Sequence, residues 1–164
     1  MTFEEAFSYE DSGFVEAQLT EPEAIRAFCL AGHAFFTLRS VKSGKRFTYR
    51  VSFPPEKDGE PPGKVSHFVA LLTDPDNTHG YSYLGHIFRS DGMYWHGKKS
   101  KIGQDALSAK GFMWFYDRVI REGKRPSDLG LEFYHAGKCG KCGRKLTVPE
   151  SIERGIGPEC ASRM

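Results

Sequence analysis

Lysine and arginine are missing from the chain before Arg26, a stretch that carries seven acids: Glu4, Glu5, Glu10, Asp11, Glu16, Glu21 and Glu23. No apolar run approaches the roughly 18 residues that a membrane-spanning helix needs, so no membrane partner is expected. The opening MTFEEAFSYEDSGF has neither the basic nor the apolar region of a secretory signal, and a cytoplasmic protein is the expectation. Cysteine is scarce, four residues in 164. Thiols stay reduced in the cytoplasm, which makes disulfides the weaker reading of them. Neither an internal repeat nor a low-complexity tract interrupts the chain. With 27% charged and 39% apolar residues, it falls in the range of globular proteins and has the length for one ordinary core plus a small appended module.

The overall charge of +2 conceals an asymmetry. Beyond the acidic opening the chain holds all 23 basic side chains and, with seven of the 21 acids already placed, the other 14, a net of +9. Residues 1–20 are expected to be a solvated acidic lead-in. The alternative is a segment that folds over a basic face and competes there with nucleic acid.

TEPEAIRAFCLAG predicts a short helix over 21–31, with Thr20 and Glu23 at capping-box spacing, Pro22 in the first turn and Gly32 past the end. Ile25, Phe28 and Cys29 form its buried side, and Cys29 reads as a core thiol. AFFTLRSV and RFTYRVSF around KSGK predict a hairpin. In its second strand Phe47, Tyr49, Val51 and Phe53 alternate with Arg46, Thr48, Arg50 and Ser52. PPEKDGEPPGK is a loop. HFVALLT and YSYLGHIF suggest a second hairpin across DPDNTHG, and MYWHGKKS a fifth strand ending in a basic loop. QDALSAKGFMWFYDRVIREG predicts a helix over 104–122, with Asp105 as cap, Leu107, Met113, Trp114 and Val119 in its apolar stripe, and Gly123 as stop. LGLEFYH returns as a strand. The order α-β-β-β-β-α-β points to an α+β fold, an antiparallel sheet with helices packed on it, over residues 21–132. Residues 133–164 are expected to form a separate metal module.

Within that module Cys139 and Cys142 make a C-x2-C pair with a glycine after each, and Cys160 follows beyond the run GRKLTVPESIERGIGPE. This is the spacing of zinc sites. A redox dithiol is disfavoured by the third cysteine and by the lack of a βαβ context. Closed structural zinc takes four ligands. His135, in H-x3-C spacing, is the expected fourth; His96, His86 or His33 supplied by the fold, or a water in an open position, are the alternatives. Between the ligands GRKLT reads as a hairpin leg, PESIERG as a helical turn stopped at Gly155, and Cys160 as the opening of a last short helix, a treble-clef-like arrangement.

The pattern C-G-x-C-G-R-x-L-T-x-P-x-S-I-x-x-G-I-G-P-x-C, with His135 ahead of it, resembles a zinc-ribbon-type module of small bacteriophage, prophage and actinobacterial proteins. The runs FTLRSVKSGKRFTYRV, LLTDPDNTHGYSYLG and HGKKSKIG are similar to the bodies of such phage proteins, so the resemblance covers about residues 34–164. It implies a fold and a zinc ion, and a bacterial host cytoplasm if the chain is phage-encoded. The family carries no assigned activity.

Basic and aromatic residues adjoin in two places, the strand face with Arg39, Arg46 and Arg50, and the run Tyr94, Trp95, His96, Lys98, Lys99, Lys101. Lys138, Lys141, Arg144 and Lys145 add charge on the knuckle. Clustered cations attract DNA or RNA through counterion release, and rings stack on unpaired bases. The competing explanation is a solubilising surface. GKKS lacks the glycine of a phosphate-binding loop. Glu132 and Glu159 lie near the cysteines, but neither the deaminase signature nor further histidines of a nuclease are present, so structural zinc is favoured over a metal-dependent hydrolase. A third class is a protein-interaction module that engages a host protein. If the zinc is structural, its loss is expected to unfold residues 135–164 before the sheet.

Overall fold

The computed structural model describes residues 17–73, 80–143, 155–157, 160 and 162. Seven strands form one antiparallel sheet: β1 (Ala17–Leu19), β2 (His33–Ser40), β3 (Arg46–Ser52), β4 (Val65–Leu72), β5 (Tyr81–Phe88), β6 (Tyr94–His96) and β7 (Leu131–His135). Their order across the sheet is β1-β7-β2-β3-β4-β5-β6. Two helices, α1 (Pro22–Cys29) and α2 (Leu107–Phe115), complete the α+β architecture. A wide helical turn, Tyr116–Arg121, continues α2.

Alternation decides which face the helices cover. Ala34, Phe36 and Leu38 of β2, Tyr49 and Val51 of β3, Val69 and Leu71 of β4, and Leu131 and Phe133 of β7 are buried. Most residues between them are not. Phe28 of α1 and Phe112 and Phe115 of α2 all pack on Phe36, so both helices lie on one face, and among the described residues no helix covers the other. Burying each such ring is worth about 1.5–3 kcal/mol relative to leaving it in water.

Both hairpins of the central sheet form in the expected places. Residues 74–79, the tip of the second, lie outside the described residues. Three expectations are corrected. Ala17–Leu19 are part of the sheet, pairing with Phe133–His135, within the stretch read as a lead-in. The cap of α1 is Glu21, not Thr20, and that of α2 is Ala106, not Asp105; neither makes a side-chain cap bond. The buried stripe of α2 runs through Ser108, Ala109, Phe112, Phe115, Tyr116, Val119 and Ile120, whereas Leu107 and Trp114 are 59% and 40% exposed. Ser108 and Ala109 bring the helix close enough for the Tyr49 hydroxyl to donate to the Ser108 carbonyl at 2.7 Å. Gly123 ends the helical segment as expected, with φ of 72° and its N–H on the Val119 carbonyl at 3.2 Å; the left-handed conformation suits glycine.

Strand β7 crosses the expected 132/133 boundary. Cys139 and Ile156 belong to the same buried cluster as Phe28, Phe36 and Phe133. The described part of the C-terminal segment therefore shares the core of the sheet instead of standing apart from it.

Candidate metal centre and nucleic-acid surface

Three thiols converge. The sulfurs of Cys139, Cys142 and Cys160 all lie within 4.8 Å of one another. The knuckle follows directly from β7, which aims the chain at the C-terminal end of α1. It is fixed from both sides, because the His33 N–H donates to the Gly140 carbonyl at 2.7 Å and the Gly140 N–H to the Gly155 carbonyl at 2.8 Å. A Cβ on Gly140 would sit 2.7 Å from the Phe28 ring and 2.9 Å from its carbonyl oxygen, and one on Gly155 would sit 2.6 Å from the same ring. Both glycines thus allow backbone to rest on Phe28.

Cys139 is fully buried, Cys160 half-buried and Cys142 exposed. Burial pushes the Cys139 thiol up, but backbone N–H groups of Gly157, Cys142 and Lys141 point at its sulfur and hold it lower, at about 7. Cys160 is pushed up to about 11 by burial, by its hydrogen bonds with Cys142 and Cys139, and by their charge. One thiolate forms readily and the next is opposed by like charge. Neutralising that crowding is what a bound cation does, and metal binding releases the protons. The donor set is soft and tetrahedral-capable, which fits zinc or another thiophilic metal.

None of His33, His86, His96 and His135 joins the thiol group. As a β7 residue His135 points into the core, fully buried, 5.5 Å from the Phe28 ring. Its Nδ1 accepts the Gly137 N–H at 2.9 Å. In that orientation Nδ1 is occupied by the backbone. Of the alternatives, His96 Nε2 donates to the Ile102 carbonyl at 2.8 Å, and His86 is bonded to the Tyr83 hydroxyl through Nδ1 at 2.7 Å. His33 lies at the knuckle. Its Nε2 is 2.8 Å from where a Cβ of Gly143 would be, one residue from Cys142. His33 is one of the three histidines expected as alternatives, and β2 brings it there.

The open sheet face carries the expected arginines in differing states. Arg39 is ion-paired with Glu132, which also accepts from the Tyr134 hydroxyl at 2.8 Å. That hydroxyl, the Arg39 guanidinium and the nearby charge of Arg46 hold the Glu132 carboxyl below its ordinary range. Arg46 stands opposite Arg39 in register. Arg50 lies over the Tyr81 ring at 5.1 Å. Trp95, Lys98, Lys99, Lys101 and Lys141 are exposed, and His96 is half-buried. Tyr94 is corrected: its ring faces α2, 4.8 Å from Phe112, and belongs to the core. Arg144 and Lys145 lie outside the described residues, as do the expected GRKLT leg apart from Gly143 and the PESIERG turn apart from Gly155. Lys138, expected as charge on the knuckle, sits over the Phe35 ring at 5.4 Å. Its position before the knuckle and the ring's place on β2 are both visible in the sequence, but their contact depends on the β2–β7 pairing.

Among the described residues no helix is long and apolar enough to cross a membrane. Residues 130–164 match the model of a family of unknown function (DUF6011). No curated protein and no solved structure matches the chain.

Proposed function

We propose that the chain is a small phage-type protein that binds nucleic acid and carries one structural zinc ion. The zinc is held by Cys139, Cys142 and Cys160, with His33 as the fourth ligand. Supporting the metal reading are the convergent sulfurs and the N–H groups around Cys139, since such donors favour thiolate. Four ligands would close a tetrahedral shell and leave no position for catalytic water.

The observation that carries the nucleic-acid reading is the pairing of cations with rings on the open face. Arg50 lies on Tyr81 and Lys138 on Phe35, and the loop of Lys98, Lys99 and Lys101 is exposed. Cations attract phosphate without sequence preference, and each phosphate contact adds roughly 0.9 to the slope of log affinity against log salt. Anisotropy titrations of labelled DNA and RNA across salt concentrations test this. Replacing Lys98, Lys99 and Lys101 together by alanine should weaken binding and flatten the salt dependence. Wild-type protein that fails to bind any nucleic acid even at low salt would overturn the reading.

A further inference from the structure

A cleft of about 680 Å³ opens at the β5–β6 end of the sheet. Its walls include Pro62, Lys64, Phe88, Arg89, Asp91 and Trp95. The volume is within the roughly 300–1,000 Å³ of small-molecule sites. Trp95 alternates with Tyr94, whose ring packs under α2, so the indole stands on the open face and is 56% exposed. The indole and Phe88 thus place apolar surface in the walls of the cleft, beside Lys64 and Arg89.

The rings do not end at the cleft. Phe88 meets His86 edge to face at 4.8 Å. His86 is parallel to Tyr83 with centroids 6.5 Å apart, and Tyr83 meets Phe68 at 6.0 Å. Phe68, facing His86 across the β4–β5 register, is 37% exposed, and Trp95 faces His86 across the β5–β6 register. Two of these rings, Phe88 and Trp95, line the cleft, and His86, Tyr83 and Phe68 continue from them, so that the five span three strands. Nearer the sheet centre lies a second group, Tyr81 with Phe35 at 5.5 Å, carrying Arg50 and Lys138. The Arg50 Nε is buried there without a hydrogen-bond partner.

This surface is built rather than incidental. Tyr83 is tied to His86 by the 2.7 Å hydrogen bond, and its ring lies where any Cβ on Gly97 would have to be. The Ser100 hydroxyl donates to the Tyr83 carbonyl at 2.8 Å, which anchors the Lys98–Lys101 loop beside the rings. Arg89 is oriented by its Nε–H on the Gly63 carbonyl at 3.1 Å. The acid in the cleft, Asp91, accepts the Met93 N–H at 3.0 Å. Rings fixed in advance lose little entropy on binding.

We infer that this ring-lined cleft and the face leading from it bind an unpaired single strand of nucleic acid, bases stacked on the rings and phosphates beside Lys64, Arg89 and the lysine loop. This rests on the nucleic-acid reading above and specifies its substrate. Base faces are available for stacking only where strands are unpaired; a duplex offers this face its phosphates alone. Cations flanking the rings complement a polyanion, which argues for nucleic acid over an apolar protein segment.

Trp95 and Trp114 are the two tryptophans, so Trp114→Phe leaves Trp95 as the sole indole reporter. Single-stranded oligo(dT) and oligo(rU) should quench its fluorescence, and a duplex of equal length should not. Trp95→Ala and Trp95→Leu should each weaken single-strand binding about tenfold, the scale of one lost stacking contact, at unchanged salt slope. Their duplex affinity should stay as in the parent. The leucine variant keeps an apolar group without a ring, so full retention of affinity by it would overturn stacking. Equal single-strand and duplex affinity with no quenching would do the same while leaving the broader nucleic-acid reading intact. Absence of binding to every oligonucleotide at low salt would overturn both, and would leave a protein partner as the occupant of the cleft.

Discussion

Truncation of Phe28 to alanine should damage the sheet core and the metal centre together. The ring is fully buried and packs on Phe36 at 6.5 Å, Phe133 at 6.0 Å and His135 at 5.5 Å. It is also the floor for the backbone of Gly140 and Gly155. Removing a buried phenylalanine side chain costs about 3–5 kcal/mol, a large fraction of the roughly 5–15 kcal/mol available to a folded domain. For a chain of this length each kcal/mol moves Tm by about 2–4 °C, so the midpoint should fall by roughly 6–20 °C. Where the two glycines lose their support the thiols lose their spacing, and every 1.4 kcal/mol of that cost that falls on the site weakens metal binding about tenfold. Thermal unfolding followed by circular dichroism gives the first number; competition against a chromogenic metal indicator gives the second. If Phe28→Ala leaves too little folded protein, Phe28→Leu provides a milder version of the same test. A variant with a lowered Tm but parental metal affinity would refute the coupling, and the cysteine segment would then stand on its own.

Elemental analysis should find about one zinc per chain, lost in Cys139→Ser, Cys142→Ser and Cys160→Ser; in cobalt-loaded protein His33→Ala should change the d–d spectrum and His135→Ala should leave it unchanged where the variant folds. Chelation should destabilise the whole chain in one transition, because Cys139 and Ile156 sit in the common core. Proteolysis that begins after Tyr134 while residues 34–130 stay protected would show two separable units instead. Burial lowers the His67 pKa in the folded chain, partly opposed by the hydrogen bond of its ring to the Leu30 carbonyl. The unfolded chain therefore takes up the proton first as pH falls below about 6.5. The stability that neutral His67 supplies is complete above that value and declines below it by up to about 1.4 kcal/mol per pH unit, until the folded pKa is passed. His67→Gln keeps an amide donor for Leu30 and should flatten the difference between urea midpoints at pH 7 and pH 5. An unchanged difference would place the titration elsewhere, with His33 and His86, also lowered mainly by burial.

Local pattern revealed the elements whose cause is local. Alternation in 46–52 marks β3 because every second residue meets the core, and Tyr49 and Val51 are buried as that period demands. Ala17–Leu19 escape detection since so short a strand has no period. Their pairing is set by β7, which enters between β1 and β2 from close to the other end of the sequence. The α2 stripe misleads for a related reason. Leu107 and Trp114 are among the most apolar choices on the helix, but close approach to Tyr49 selects the small side chains of Ser108 and Ala109. Charge alone also overstates the cationic face, where the Arg39–Glu132 pair joins two strands that lie far apart in the sequence.

The cysteine spacing is legible because C-x2-C brings two sulfurs together through one tight turn, whatever surrounds it. The proposed fourth ligand, His33, is not encoded that way. His135 is near in sequence, yet a residue in the last position of β7 must alternate with Tyr134, and Tyr134 takes the open face. That sends the imidazole into the core beneath Phe28, where the Gly137 N–H claims the lone pair of Nδ1. His33 reaches the knuckle from β2 through a backbone bond to Gly140. The glycines of the motif carry the information that spacing lacks. A metal knuckle by itself gives no reason for Gly140 to have φ in the ordinary range and still exclude a side chain. Its 2.7 Å approach to Phe28 supplies one, and Gly155 meets the same ring. Glycine in this segment therefore records docking against α1 as much as the turn around the metal, and the contact is visible only once helix and knuckle are placed together.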